Sequence, residues 1–315
     1  MNYDGESTTY ASEISPNVST SFNSIRNIVK TIREKGMGIA AICGRIILDS
    51  TVVNEADFKE ICRKVLNVDG TREVGFRLEL INNKIVLTEY PSEAHERVSG
   101  VFDTIITSRF NVGWEIPFSP TRSTRWNFGV SSVEADSSFV NRNVAPNARQ
   151  LDLNGRQLPD IIFEVGKTQN YNDLFSRPDI YFSLPGVKAV VLVKLGNSTV
   201  GDLIDQMVAV VYRRDGNGVA GPRAAVSFGR RLHPQTENAI LRHSGIDPAL
   251  FTGTGRHGID EQCLQPGLPI FNMQVLEAAR VWENVPVDQV PVIQTDVMMD
   301  VFFFRATLVS ANLAN

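Results

Sequence analysis

A chain of 315 residues, 43% hydrophobic and 21% charged, is long enough for one large domain or for a core with additions, and its make-up is that of an ordinary soluble globular protein. Its net charge of -4 excludes a chain-wide electrostatic footprint for nucleic acid, so any such site has to be a local basic patch. Cys43, Cys62 and Cys263 form no CxxC pair, which excludes a disulfide framework or structural zinc and points to a reduced, intracellular setting, cytoplasmic or nuclear. No apolar run approaches the roughly 18 residues of a membrane span. The opening MNYDGESTTYASE lacks the pattern of a signal peptide.

Residues 1–20, rich in Ser, Thr and Asn without periodicity, read as a mobile tail. Apolar residues recur at helical spacing in SFNSIRNIVKTIREKG (Phe22, Ile25, Ile28, Val29, Ile32) and in NEADFKEICRKVLN (Phe58, Ile61, Cys62, Val65), where Asn54 is the expected cap. These make a helical region over 21–74. GFRLELINNKIVLTEY then predicts a hairpin turning at Asn82-Asn83. PSEAHERVSGVFDTIITSRF predicts a helix with Val98, Val101, Phe102 and Ile105 inward. NFGVSSVEADSSFV reads as a strand or a pair of strands, and 141–157 as a polar loop.

The next stretch, LPDIIFEVGKTQNYNDLFSRPDIYFSLPGVKAVVLVKL over 158–195, has the order strand, helix, strand. Its two strands are expected to be parallel. Beyond 200, GDLIDQMVAVVYRR reads as a helix, RAAVSFG as a strand, 245–268 as a Gly/Pro-rich loop and NMQVLEAARVWE as a helix. DVMMDVFFFRATLV is undecided between strand and helix.

Two acids in the first of those parallel strands demand a reason. Side chains at i, i+2 and i+4 of a strand share a face. Asp160, Ile162 and Glu164 therefore point one way, and Ile161, Phe163 and Val165 the other. A carboxylate on a central strand is costly to bury unless paired, protonated or bound to a metal. Asp160, near the strand start where exposure is easy, is read equally well as a structural residue (a solvated strand end or a cap) or as part of a site. Glu164 lies mid-run. Upstream, SVEADSSFV puts Glu134, Asp136 and Ser138 on one face, and pairing of the two strands would let Asp136 and Glu164 converge on one hard cation such as Mg²⁺.

LELINNKIVLTEYPSEAHERVSG, VEADSSFV and the 158–195 segment, in this order, resemble the Uma-type restriction-endonuclease branch of the PD-(D/E)XK nuclease superfamily; the third segment is also similar to related domains in fungal proteins. The resemblance spans about residues 75–195. It implies an α/β fold, a restriction-endonuclease-like mixed central sheet flanked by helices. A nuclease-like core over 75–200 would carry the N-terminal helical extension and a C-terminal region, 201–315, packed on it. It implies a nuclease that hydrolyses phosphodiester bonds of DNA or RNA with Mg²⁺ or Mn²⁺, or else a catalytically degenerate module of the same fold that binds nucleic acid or protein.

Asp136 matches the first metal-binding acid, with Ala135 in place of the usual proline, and Glu164 matches the second. Asp160 is a further candidate ligand. The helix with Glu93, His95 and Glu96 matches one that can contribute another acid. Where the superfamily places a lysine, two residues after the second acid, this chain has Gly166. Lys167, rotated by a bulge at that glycine, is the expected replacement. The other candidate is Arg177, which precedes Tyr181 by four residues as the Uma-type lysine does; Pro178 is expected to start or kink the helix there. Nucleic acid is the expected partner, a homodimer is an expected assembly, and no membrane is involved.

The remaining candidates are weaker. His95 shares a face with Val98 and Phe102 and reads first as a core histidine. His233, His243 and His257 have no ligand partners at useful spacing. Gly253-Thr-Gly255 lacks the ending of a phosphate loop. Arg213-Arg214 and Arg230-Arg231 are either a basic patch or solvated surface.

Overall fold

The computed structural model describes Ile25, Asn27 and residues 46–48, 53–66, 76–89, 93–109, 117–122, 124–129, 131–167, 169–196, 205–215, 217–259 and 267–306. The expected tail lies outside these residues. So does most of the first expected helix, of which Ile25 and Asn27 are helical.

Among the described residues, a five-stranded sheet opens the fold. It starts with β1 (Ile46–Leu48), which pairs with a later strand. Helix α1 (Glu55–Leu66) begins where the Asn54 side chain accepts the Asp57 amide at 2.8 Å, as the cap predicts. Its Phe58 and Ile61 are buried against Leu78, Leu80 and Ile85. Those residues come from β2 (Phe76–Ile81) and β3 (Lys84–Glu89), a hairpin with Ile81 opposite Lys84. Asn82 and Asn83 turn it with φ of 51° and 63°, the positive angles that a two-residue hairpin requires.

Helix α2 (Glu93–Arg109) follows as expected, and then β4 (Phe118–Pro120), β5 (Arg125–Phe128), β6 (Ser131–Glu134) and β7 (Ser137–Asn141). Of the two alternatives for this stretch, SVEADSSFV is split between two strands, so Glu134 and Ser138 do not share one strand face as expected. β6 completes the first sheet, in the order β1-β3-β2-β6-β5, and β7 enters a second. The chain changes sheets at Ala135-Asp136. A period of two continues across such a crossing, so alternation alone does not reveal it.

The second sheet is mixed and has seven strands, side by side in the order β4, β7, β8 (Ile161–Gly166), β9 (Ala189–Leu195), β10 (Met207–Arg214), β11 (Ala220–Ser227) and β12 (Phe251–Gly253). At its centre, β8 (Ile161–Gly166) runs parallel to β9 (Ala189–Leu195), Ile161 aligned with Ala189, and antiparallel to β7, Ser137 opposite Phe163. This is the predicted arrangement. Between them lie α3 (Tyr171–Phe175) and α4 (Arg177–Phe182), separated at Ser176, with Pro178 in the first turn of the second. Both faces of β8 are covered. Ile161, Phe163 and Val165 join a core with Val98, Phe102 and Ile105 of α2, and Ile162 joins the opposite core with Leu174 and Tyr181. Phe163 stacks on Phe102 at 4.1 Å and lies 5.7 Å from Phe304.

Beyond position 200 strands replace the described part of one expected helix and the first half of another. GDLIDQMVAVVYRR holds β10 (Met207–Arg214), and NMQVLEAARVWE holds β13 (Asn272–Leu276). In β10 a continuous apolar run satisfies helical spacing and strand alternation alike. Its Val208, Val210 and Val211 favour the strand, and burial on both faces between β9 and β11 (Ala220–Ser227) decides it. The region expected to pack on the core thus supplies three of its strands.

Helix α5 (Pro234–Ser244) was not expected, although proline in its first turn and Gly245 at φ 69° behind it are standard punctuation. The expected loop contains β12 (Phe251–Gly253). Gly253, at φ 102°, lies so close to the Ser227 backbone that a Cβ would strike it, so its glycine serves strand packing. A short helix, α6 (Ala278–Val281), follows β13; β14 (Val297–Asp300) pairs with β13, and residues 302–306 are helical. Among the described residues no helix is long and apolar enough to cross a membrane.

Candidate active site

Glu164 is 5% exposed, and its carboxylate is fully engaged. Oε1 accepts from Arg177 Nε (3.1 Å) and Nη2 (2.8 Å); Oε2 accepts from the Asp136 amide (3.1 Å) and the Tyr181 hydroxyl (3.0 Å). Four donors fill the roughly four lone-pair sites that a carboxylate offers. Arg177, 2% exposed, turns its other edge to Glu79 of β2, with Nη1 to Oε2 at 2.5 Å and Nη2 to Oε1 at 2.9 Å. Glu79 Oε1 also accepts the Glu134 amide at 3.1 Å.

The lattice ties the two sheets together. Glu79 lies in the five-stranded sheet, Glu164 in the seven-stranded one, and Asp136 at the crossing between them. Asp136 Oδ2 accepts the Val165 amide at 2.7 Å, so each acid of the expected pair holds the other's strand. Burial alone would favour loss of the Arg177 proton. The charges of Glu79 and Glu164 beside it, with the Tyr181 hydroxyl, outweigh burial and hold the guanidinium well above its ordinary value. Burial holds the Tyr181 phenol well above its own. At this site Arg177 stays a cation and Tyr181 a neutral donor.

Of the expected residues, Asp136, Glu164 and Arg177 come together. Asp160 does not join them. It precedes β8 by one residue, roughly 13 Å along the strand from Glu164. There its Oδ1 pairs with Lys188 at 2.9 Å and its Oδ2 accepts the Asn141 amide at 2.7 Å. The cation on Glu164 is Arg177, not the favoured Lys167, whose carbonyl accepts Lys194 Nζ at 2.8 Å. α2 packs on the opposite face of β8, where His95 is buried and Glu96 exposed. The third acid is Glu79. Sequence reasoning missed it, although LELI carries the same sign as Glu164, an acid inside an apolar strand. Of the arginine pairs, Arg213 reaches Glu277 at 3.2 Å and Arg231 reaches Asp205 at 2.8 Å.

A sequence model described as "Uma2: Putative restriction endonuclease" matches residues 57–236, more than half of the chain. The chain belongs to the Uma2 family. None of the curated proteins compared with it matches. Among solved structures, one described as a putative nuclease belonging to DUF820, from Anabaena variabilis ATCC 29413, is 17% identical, with a TM-score of 0.34, over 54% of this chain and 88% of that one.

In this Uma2 chain a catalytic metal ion would have to be held by Asp136 and Glu164. A hard cation takes open carboxylate oxygens. Here every acceptor site of Glu164 is used, and a guanidinium stands where the ion's charge would go. As arranged, the donor set does not fit a metal ion.

Gly166 also has a local reason. A Cβ there would meet Leu174 Cδ2 at 2.8 Å, and Leu174 is fully buried. The lysine position is occupied by α3. Lys194, aligned with Gly166 on the same face, spends its ammonium on the carbonyls of Lys167 and Gln169. Gly166→Lys is therefore expected to destabilise the fold by about 1–3 kcal/mol through overpacking. Addition of Leu174→Ala is expected to recover part of that loss. Urea midpoints of the two variants check this; equal midpoints for wild type and Gly166→Lys would remove the steric explanation.

Proposed function

We propose that this protein is a binding module of restriction-endonuclease fold whose acid centre has become structural, with nucleic acid as the partner class that the family description suggests. The observation that carries this reading is the complete engagement of Glu164 by Arg177, Tyr181 and the Asp136 amide. Metal-dependent hydrolysis needs a carboxylate free to hold the ion and water that reaches it. A guanidinium shared by two buried carboxylates supplies neither. Arginine is also a poor proton donor or acceptor, whereas it is well suited to bridging two carboxylates.

A second reading, hydrolysis of DNA or RNA with Mg²⁺ or Mn²⁺, has one observation in its favour. The buried lattice holds two carboxylates against one guanidinium, and the half-exposed Asp136 adds a third. That surplus negative charge would attract a cation at Asp136.

Supercoiled plasmid and single-stranded RNA incubated with the purified protein and Mn²⁺ separate the readings. The expected result is intact substrate, with retardation of nucleic acid in a native gel that chelator does not change. Cleavage by the wild type that Glu164→Gln abolishes would establish the second reading. Absence of both cleavage and retardation would move the partner class to protein.

A further inference from the structure

At the far end of the central strands from Glu164, a cavity of about 180 Å³ opens between the loop before β9, the end of β10, the end of α6 and the 144–150 segment. Arg149, Lys188, Arg214 and Arg280 line it, against Asp160 and Glu283. Four cations face two carboxylates, which leaves two positive charges. The volume is far above the roughly 10–15 Å³ that one water needs.

The surplus sits on particular groups. Lys188 is neutralised by Asp160 at 2.9 Å, and Arg280 Nη1 by Glu283 at 3.0 Å. Among the described residues, Arg149 and Arg214 donate hydrogen bonds to backbone carbonyls: Arg149 to Val144 and Arg142, Arg214 to Val187, Gly218 and Phe182. Among the described residues, none accepts a hydrogen bond from the buried Arg280 Nε. Burial and the charge of Arg280 both push Arg214 below its ordinary value, a strain that an anion between them would relieve. Guanidiniums with unmatched charge and a spare buried donor suit the oxygens of a phosphate group.

We propose that this cavity binds a dianionic phosphate group, as the free ion or as a terminal phosphate monoester. The site is separate from the acid lattice and does not depend on the reading of that lattice. Its two surplus charges match a dianion, which a free phosphate or a terminal monoester carries and a singly charged diester does not.

Calorimetric titration with inorganic phosphate at constant ionic strength and pH 7.5 tests it on the full chain. Saturable binding is expected. Arg149→Gln and Arg280→Gln should each weaken it about tenfold, the factor carried by one charge-assisted hydrogen bond. Their circular dichroism and phosphate-free melting should match the wild type. Should Arg280→Gln fail to fold, the exposed Arg149 decides alone. A nucleoside 5′-monophosphate binding more tightly than inorganic phosphate identifies the monoester, and the reverse order the free ion. Phosphate should bind more weakly at pH 5.5 than at 7.5 while sulfate stays constant. No saturable heat, equal binding by wild type and variants, or pH-independent phosphate binding would each overturn the assignment.

Discussion

Arg177→Met is expected to lower stability by roughly 3–5 kcal/mol, because it leaves two carboxylates buried without their counter-ion. For a protein of this size that is a fall in Tm on the order of 10 °C. The geometry explains the scale. Glu79 and Glu164 are 1% and 5% exposed, and the guanidinium is the cation that both share. Removal of the charges together should be much gentler, since a buried ion triad replaced by neutral groups is often close to neutral in stability. Glu79→Gln/Glu164→Gln/Arg177→Met is therefore expected to melt well above Arg177→Met. Calorimetric scans of the three proteins decide the matter. If Arg177→Met melts with the wild type, the lattice is not what joins the sheets.

The second large effect is expected at Phe163. Truncation to alanine should cost about 3–5 kcal/mol, as loss of a buried aromatic ring commonly does. Its ring stacks on Phe102 of α2 and lies beside Phe304, so a single cavity would loosen a helix packed on the sheet and the helical residues 302–306 together. The measurement is the urea midpoint, with an unchanged slope showing that only stability has moved. A loss below about 1 kcal/mol would mean that the neighbouring rings close the gap.

Much of the core was legible because its signals are local. Asn82-Asn83 marks a turn by backbone chemistry, Asn54 caps a helix through one hydrogen bond, and apolar runs at 161–166 and 189–195 announce strands covered on both faces. The acid pair was legible for a similar reason: Glu164 is expensive where it stands, so it had to be accounted for. What stayed hidden depends on contacts distant in sequence. Arg177 and Glu79 are separated by 98 positions, and no pattern near either residue announces their pairing. The preference for Lys167 over Arg177 failed because it weighed strand geometry at Gly166 without Leu174, whose side chain fills the space in front of that glycine. β10 was misread because continuous burial erases the period that distinguishes helix from strand.

The ladder of the seven-stranded sheet runs unbroken across position 200, with Met207–Arg214 hydrogen-bonded along the whole of Ala189–Leu195. A nuclease-like fragment cut at that position would present AVVLVKL as a bare edge, apolar on both sides, with a single lysine to discourage a neighbour. Exposed strands of this kind recruit other strands, from a second molecule or from the same chain in the wrong order. The same hazard exists during synthesis, since β9 emerges before the strand that covers it. The strands at 207–227 therefore belong to the same folding unit as the strand that carries Glu164, and a cut at position 200 would leave that sheet open.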